Sequence, residues 1–366
     1  MTLATAPNAP PTMRKEDLYG MDRDAALAAL EEAPVVRVAT TDAAGRPVLR
    51  TVNFALHEGA LWFHGAPAGE KTLALGREAV LACDETVAQI PSWFVDPERA
   101  CPATTYYRSV MVHGVLERED DLERKAAALR ALMDKHQPEG RHARIDAAHP
   151  LYRKGLEGLL VVRVSLDRVR GKAKLGQNRT PEERARIALH LWRRGGPGDA
   201  RACALVLGAS PRGPRPAFLA APDGFTLAPH LEAERDRAAV AELLVDLYWN
   251  EGRFDRAALV AAHRGSSAWV GARDGAGRLV ASARAVSDGA KHAWVYDVVV
   301  ADGARGRGLG DAVMRLLLDH PAVRGARYVH LQTRDAQPFY ARLGFRDRAE
   351  LPPRAYTSTA MTLERG

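Results

Sequence analysis

The chain has 366 residues, 46% hydrophobic and 27% charged, with a net charge of +7. That composition excludes a disordered or collagen-like chain, and no apolar run approaches the ~18 residues of a membrane span. The charge comes from 8 Lys and 44 Arg against 45 acidic residues; it is spread evenly, without a basic tail, which argues against a nucleic-acid surface.

In chain order, Met1–Thr12 lack the basic and apolar regions of a signal peptide, which predicts a cytoplasmic protein. Residues Val35–Thr40 read as a strand, and Asp42–Gly45 as a turn. Val48–Leu56 follows as one strand, His57–Gly59 turns, and Leu61–His64 runs back. Val80–Asp84 and Arg108–Leu116 extend the β pattern. Asp120–His136 has helical spacing, and Leu159–Val169 reads as one further strand. Short antiparallel strands with a few helices predict a small barrel over residues 13–194.

Residues 195–224 are rich in Pro and Gly and read as a connection; only Cys203–Leu207 is apolar enough for a strand or a helical turn. Residues 225–366 then alternate. Val240–Trp249 reads as a helix, and Ala268–Arg273, Leu279–Val286 and Ala293–Val300 as strands. Helix Asp311–Asp319, strand Arg327–Thr333, helix Ala336–Leu343 and a last strand near Ala360–Leu363 complete an α/β pattern. Cys83, Cys101 and Cys203 are too far apart for a disulfide framework or a CxxC pair, and no metal site is expected. His292 and His320 read as surface residues.

The richest motif in the second half joins Val298-Val299-Val300 to Arg305-Gly306-Arg307-Gly308-Leu309-Gly310 and a helix. Glycines there let backbone amides converge at a helix N-terminus, where a phosphate is favoured. The spacing fits neither a dinucleotide fingerprint nor a P-loop, and a plain strand–helix turn would use the same glycines. With the later run Gln337-Pro338-Phe339-Tyr340-Ala341-Arg342-Leu343-Gly344-Phe345, residues 225–350 resemble the GNAT N-acetyltransferases. The resemblance implies that Val298–Val300 pair with the pantetheine arm of acetyl-CoA and that Arg305–Gly310 hold its pyrophosphate. It implies that Tyr340 protonates the leaving thiolate, while a small amine is the acceptor. Asp297 is the nearest candidate base; a strand-end carboxylate tied to an arginine is the alternative, with water as the relay.

In the first half, His64-Gly65-Ala66 with Lys71, Thr105–Val110, and Lys174-Leu175-Gly176-Gln177-Asn178-Arg179 resemble the FMN-binding split barrels related to pyridoxamine-phosphate oxidase and nitroimidazole-resistance proteins. The resemblance implies a homodimer with FMN at its two-fold interface and NAD(P)H as an electron donor. Lys71 and Arg108 would meet the phosphate, Gly65 and Ala66 would admit the ligand, and Thr51 and Asn53 would face the ring. Ser109, Gln177 and Arg179 would complete the set, with Arg108, Ser109 and Gln177 reaching the partner's flavin. His64 has three readings: flavin neighbour, haem ligand, or packed strand-end residue. Gly65 and Gly176 stand where such barrels often have serine, so each is expected to cost a hydroxyl contact and weaken FMN binding.

The two signatures together predict a bifunctional protein: an antiparallel split β-barrel doing redox work on a small substrate, fused to an α/β acetyltransferase. The alternatives are a barrel that senses a ligand or only dimerises the chain.

Overall fold

Phe54 is completely buried, and the chain turns around it. The segment expected as one strand over Val48–Leu56 is therefore two strands in different sheets, separated at Asn53–Phe54. The structure, a computed structural model, describes residues 13–68, 72, 74–209, 213–250, 252–350 and 361. Two compact units emerge, Met1–Ile187 with Leu205–Gly213, and Ala188–Ala204 with Pro214–Gly366.

The first unit begins with helix α1 (Glu16–Tyr19), strand β1 (Gly20–Met21) and helix α2 (Arg23–Glu32). Strands β2 (Val36–Thr41), β3 (Pro47–Val52), β4 (Ala55–His57), β5 (Ala60–Gly65), β6 (Glu78–Ile90), β7 (Thr104–Val115) and β8 (Glu117–Glu119) follow. Helices α3 (Leu122–His136) and α4 (Pro150–Gly158) lead to strands β9 (Leu160–Ser165) and β10 (Arg168–Lys174). One sheet has the order β1-β10-β7-β6-β2-β3 and the other β4-β5-β9-β8. The expected single strand Leu159–Val169 is thus another sheet-switching pair, β9 and β10. Alternating residues of both sheets, among them Val38, Leu81, Val110, Phe63 and Val162, bury one core with Ala26 and Leu30 of α2. A cavity of about 20 Å³ between the sheets is lined by Val38, Val52, Phe63 and Val162. It has room for about one water, so a planar cofactor has its place outside this core.

Helices α5 (Pro181–Arg194) and α6 (Asp199–Gly208) come next. Residues 195–224, read as a connection, thus hold a ten-residue helix and a 3₁₀ turn at Ala217–Leu219.

The second unit contains strand β11 (Phe225–Ala228), helices α7 (Glu234–Leu244) and α8 (Arg256–Arg264), and strands β12 (Ala268–Asp274), β13 (Leu279–Ser287) and β14 (His292–Val300). Helix α9 (Leu309–Leu318), strand β15 (Tyr328–His330) and helix α10 (Gln337–Arg342) complete it. Helix α7 lies six residues earlier than the expected Val240–Trp249, because its buried stripe is Asp236, Val240, Ala241 and Leu244. The sheet runs β11-β12-β13-β14-β15, antiparallel except for the parallel pair β14–β15. The final strand expected near Ala360–Leu363 lies outside the described residues, Met361 apart. Among the described residues no helix is long and apolar enough to cross a membrane, and no His, Cys, Asp and Glu group could hold a metal.

His320 is a correction: it is buried, not a surface residue. Its ring meets Trp192 edge-on at 5.3 Å, its Nδ1 accepts from the Ala322 amide, and its Nε2 has no partner. Burial, then His230 and Arg324, bring its pKa down to about 3. The native state therefore holds it neutral, whereas the unfolded chain protonates it below about 6.5. Its contribution to stability is complete above that pH and is lost as pH falls toward 3. Thermal unfolding across pH 7 to 4 should show a steeper loss for the native sequence than for His320→Asn; equal slopes would disprove this.

Candidate functional site

Strand β14 pairs with β13 along its length but with β15 only over His292–Trp294. From Val295 to Val300 its outer edge has no strand partner among the described residues. The parting coincides with a bulge. Arg284 faces Tyr296 and Ser282 faces Val299, so Asp297 and Val298 both stand opposite one residue, Ala283. Asp297 adopts a left-handed φ of 52°. Its carboxylate accepts from Arg284 Nε at 2.6 Å, with the two side chains only 10% and 13% exposed.

Beyond Val300 a short 3₁₀ turn, Asp302–Ala304, leads to Arg305–Gly308. Gly306 and Gly308 have φ of 72° and 78°, which side chains other than glycine resist. Gly308 is the N-cap of α9 and offers no side-chain cap. The amides of Leu309, Gly310 and Asp311 have no acceptor among the described residues; the first bond is Ala312 N–H to Gly308 C=O. Three orphan donors at the positive end of a helix make an anion cradle. Leu309 and Gly310, expected in the loop, form the first helical turn. The arginines are braced rather than pointed inward: Arg305 donates to Val300 C=O and pairs with Asp302, while Arg307 covers the Phe225 ring at 4.3 Å.

Helix α10 is brought to this cradle by Phe339. A Cβ on Gly310 would stand 3.3 Å from its ring, so glycine there permits the close approach. Tyr340 follows, with its ring 4.9 Å from Phe339 and 5.9 Å from Phe345. Burial, and then neighbouring Tyr248, push its hydroxyl pKa above the ordinary tyrosine value. Tyr340 is thus a protonated donor at neutral pH.

The first unit does not gather its expected residues in one place. Thr51 and Asn53 are exposed at the β3 edge, while Ser109 and Arg108 lie on β7. Three strand spacings separate β3 from β7, roughly 14 Å. His64, Gly65 and Ala66 end β5 in the other sheet, with His64 exposed and facing Val161 in register. Lys71 lies outside the described residues.

Arg108 is engaged otherwise than expected. Its guanidinium donates to Glu85 at 2.8 Å and to Glu32 at 2.9 Å, and it is only 16% exposed. Two carboxylates already neutralise it, so it is not a free phosphate cation. Gln177 is folded onto its own turn, accepting from Leu175 N–H and donating to Ala173 C=O. Lys172, 5.7 Å from the Tyr19 ring, and Arg179, beside Tyr106, have no carboxylate partner among the described residues. A phosphate fits these two cations better than Arg108.

Gly176 has a packing reason of its own for lacking a hydroxyl. Its φ is 87°, and a Cβ there would collide with the Tyr106 hydroxyl. The place of a side chain at position 176 is taken by Tyr106, whose own hydroxyl stays protonated, its pKa up to about 12 through burial. The sequence reading missed Tyr106, Glu32, Glu85 and Arg284. Glu85 faces Arg108 in the β6–β7 register, a signal available only once that hairpin is aligned.

These geometries define two classes of domain, a two-sheet barrel and an α/β fold with a parted sheet. Residues 22–173 match the family model described as pyridoxamine 5'-phosphate oxidase. Residues 231–345 match the acetyltransferase (GNAT) family. The chain therefore joins a pyridoxamine 5'-phosphate oxidase-like domain to a GNAT acetyltransferase domain. Among solved structures, a protein described as a 5-nitroimidazole antibiotic resistance protein from Bacteroides thetaiotaomicron is 20% identical, covering 44% of this chain and 95% of that one, with a TM-score of 0.34. The flavocytochrome Anf3 from Azotobacter vinelandii is 22% identical over 44% of this chain and 72% of its own, with a TM-score of 0.39. A protein described as a GNAT-family acetyltransferase from Xanthomonas campestris is 30% identical over 37% of this chain and 96% of its own, with a TM-score of 0.32. A search of curated proteins gives no match.

Two substitutions test the local geometry. Gly176→Ser should destabilise the protein by about 1–3 kcal/mol through overpacking against Tyr106, and Tyr106→Phe should recover part of that loss in denaturant unfolding. Asp297→Asn breaks a nearly buried ion pair and should cost about 3 kcal/mol. If Asp297 were instead the general base, the substitution would erase the acidic limb of the kcat/KM profile with little change in unfolding.

Proposed function

We propose that the GNAT domain transfers the acetyl group of acetyl-CoA to a small amine. The observation that carries this reading is the parted β14 edge, with the uncapped α9 and a half-buried Tyr340. Backbone groups of Val298, Val299 and Val300 would bond the pantetheine amides as a missing strand would. The free amides of Leu309, Gly310 and Asp311, with the Arg305–Gly308 turn, would hold the pyrophosphate. The amine nitrogen then bonds to the thioester carbonyl carbon while the carbon–sulfur bond breaks. Tyr340 gives its proton to the departing thiolate, and the amine's proton leaves to water. Asp297 is the carboxylate nearest the edge, but accepting that proton would break its bond to Arg284. The pairing favours water as the relay.

For the barrel we propose a flavin site completed between two copies of the chain, in a cytoplasmic homodimer. The separation of Thr51 and Asn53 from Ser109 and Arg179 favours this, since one chain alone leaves the set divided. Lys172 and Arg179 would meet the FMN phosphate, and Thr51, Asn53 and the His64–Ala66 strand end would face the ring. When bound, FMN would supply two-electron chemistry, with NAD(P)H as donor to a small redox substrate. The neutralised Arg108 favours a second reading, a barrel that dimerises the chain without a flavin.

Tyr340→Phe should keep acetyl-CoA binding in calorimetry and lower kcat about 10²-fold or more; unchanged turnover would refute the acid role. A flavin absorption band in the purified protein, or its appearance on adding FMN, is expected. A colourless protein that takes up no FMN would leave the dimerisation reading.

A further inference from the structure

One face of the second unit's sheet carries a ladder of flat rings. Tyr328, His292, His330 and Trp294 alternate between β15 and β14. His292 is another correction to the surface reading, since it stands half-buried inside this ladder. Successive centroids are 5.6, 5.2 and 4.7 Å apart, and successive planes are tilted by 23°, 26° and 26°. His292 Nδ1 and His330 Nε2 share a hydrogen bond at 3.0 Å, which fixes the middle of the stack. The ladder stops at Trp294 because β15 stops pairing there. The next rung would belong to β15, but that strand has already left β14. Trp294 is 37% exposed, and Tyr296, the next residue on the same face, is 42% exposed. The open rung lies beside the bulge at Asp297, where the parted edge begins.

Charge narrows what the rung accepts. An alkylammonium needs a free carboxylate. Asp297 is bound to Arg284, and Asp335 pairs with Arg334 at 3.2 Å. Arg284 also lies 4.9 Å over the Tyr296 ring, and Arg334 3.5 Å over Tyr248. This mouth is therefore aromatic, and its charges are paired. It gives a protonated amine no free counter-charge and offers stacking area to a planar one. An arylamine satisfies both conditions. Its ring extends the stack, and its nitrogen is already unprotonated at neutral pH, so attack needs no carboxylate base. We infer that the acceptor of the acetyl group is a planar arylamine whose ring stacks on Trp294 as the next rung of the β14–β15 ladder.

This inference rests on the acetyl-transfer reading, and the test separates the two. Full-length protein is assayed for thiol release from acetyl-CoA with 4-methoxyaniline and with spermidine. Equilibrium binding of 4-methoxyaniline is measured in the presence of CoA. The native protein should favour the arylamine in kcat/KM by tenfold or more. Trp294→Ala should lose about tenfold for the arylamine alone and keep acetyl-CoA affinity, while Trp294→Phe retains most activity. Preference for spermidine, an equal loss for both amines in Trp294→Ala, or no arylamine binding by the native protein would overturn the inference. Arylamine binding that depends on Trp294, without turnover of any amine, would support the stacking site and refute acetyl transfer.

Discussion

The ion pair between Arg284 and Asp297 is the interaction on which the second unit turns. Asp297 sits in a left-handed conformation, uncommon for residues other than glycine. The guanidinium of Arg284, on the neighbouring strand and almost out of solvent, is what holds it. The bulge lies within the stretch Val295–Val300, where the outer edge has no strand partner among the described residues. Without that opening there would be no backbone groups to pair with an extended chain, and no path from the α9 cradle to Tyr340. One nearly buried charge pair thus sits on the stretch of β14 that β15 leaves open.

The barrel depends on a different constraint. Its chain changes sheet four times, from β3 to β4, β5 to β6, β7 to β8 and β9 to β10, and apolar residues of both sheets fill the middle. The core is too full to admit a cofactor. Any ligand must work on the outer rim, where the polar residues of one chain stand in separate groups.

Much of this was legible in the sequence. The glycine run after three valines located the start of α9 to within a turn, and the Phe339-Tyr340 element falls on α10 within the expected helix Ala336–Leu343. Strand alternation located β2, β5 and β7 to within a few residues. What local pattern could not show was where a run of apolar residues divides between two sheets, since Val48–Leu56 and Leu159–Val169 each keep an unbroken β rhythm across a corner. Nor could it show pairing between distant charges. Arg108 looks like a phosphate ligand until β6 brings Glu85 beside it, and His320 looks like a surface residue until Trp192 covers it. Both failures arise from long-range packing, which sequence spacing does not encode.

The contact between Gly176 and Tyr106 also constrains how this protein can change. A serine at 176 and a tyrosine at 106 exclude one another on this backbone, because the first methylene would collide with the phenol oxygen. Passage between a serine-bearing loop and this one is therefore ordered. Going one way, the glycine must appear before the large ring. Going back, the ring must shrink first. Positions 106 and 176, far apart in the chain, thus share one small volume, and filling it from both sides costs stability.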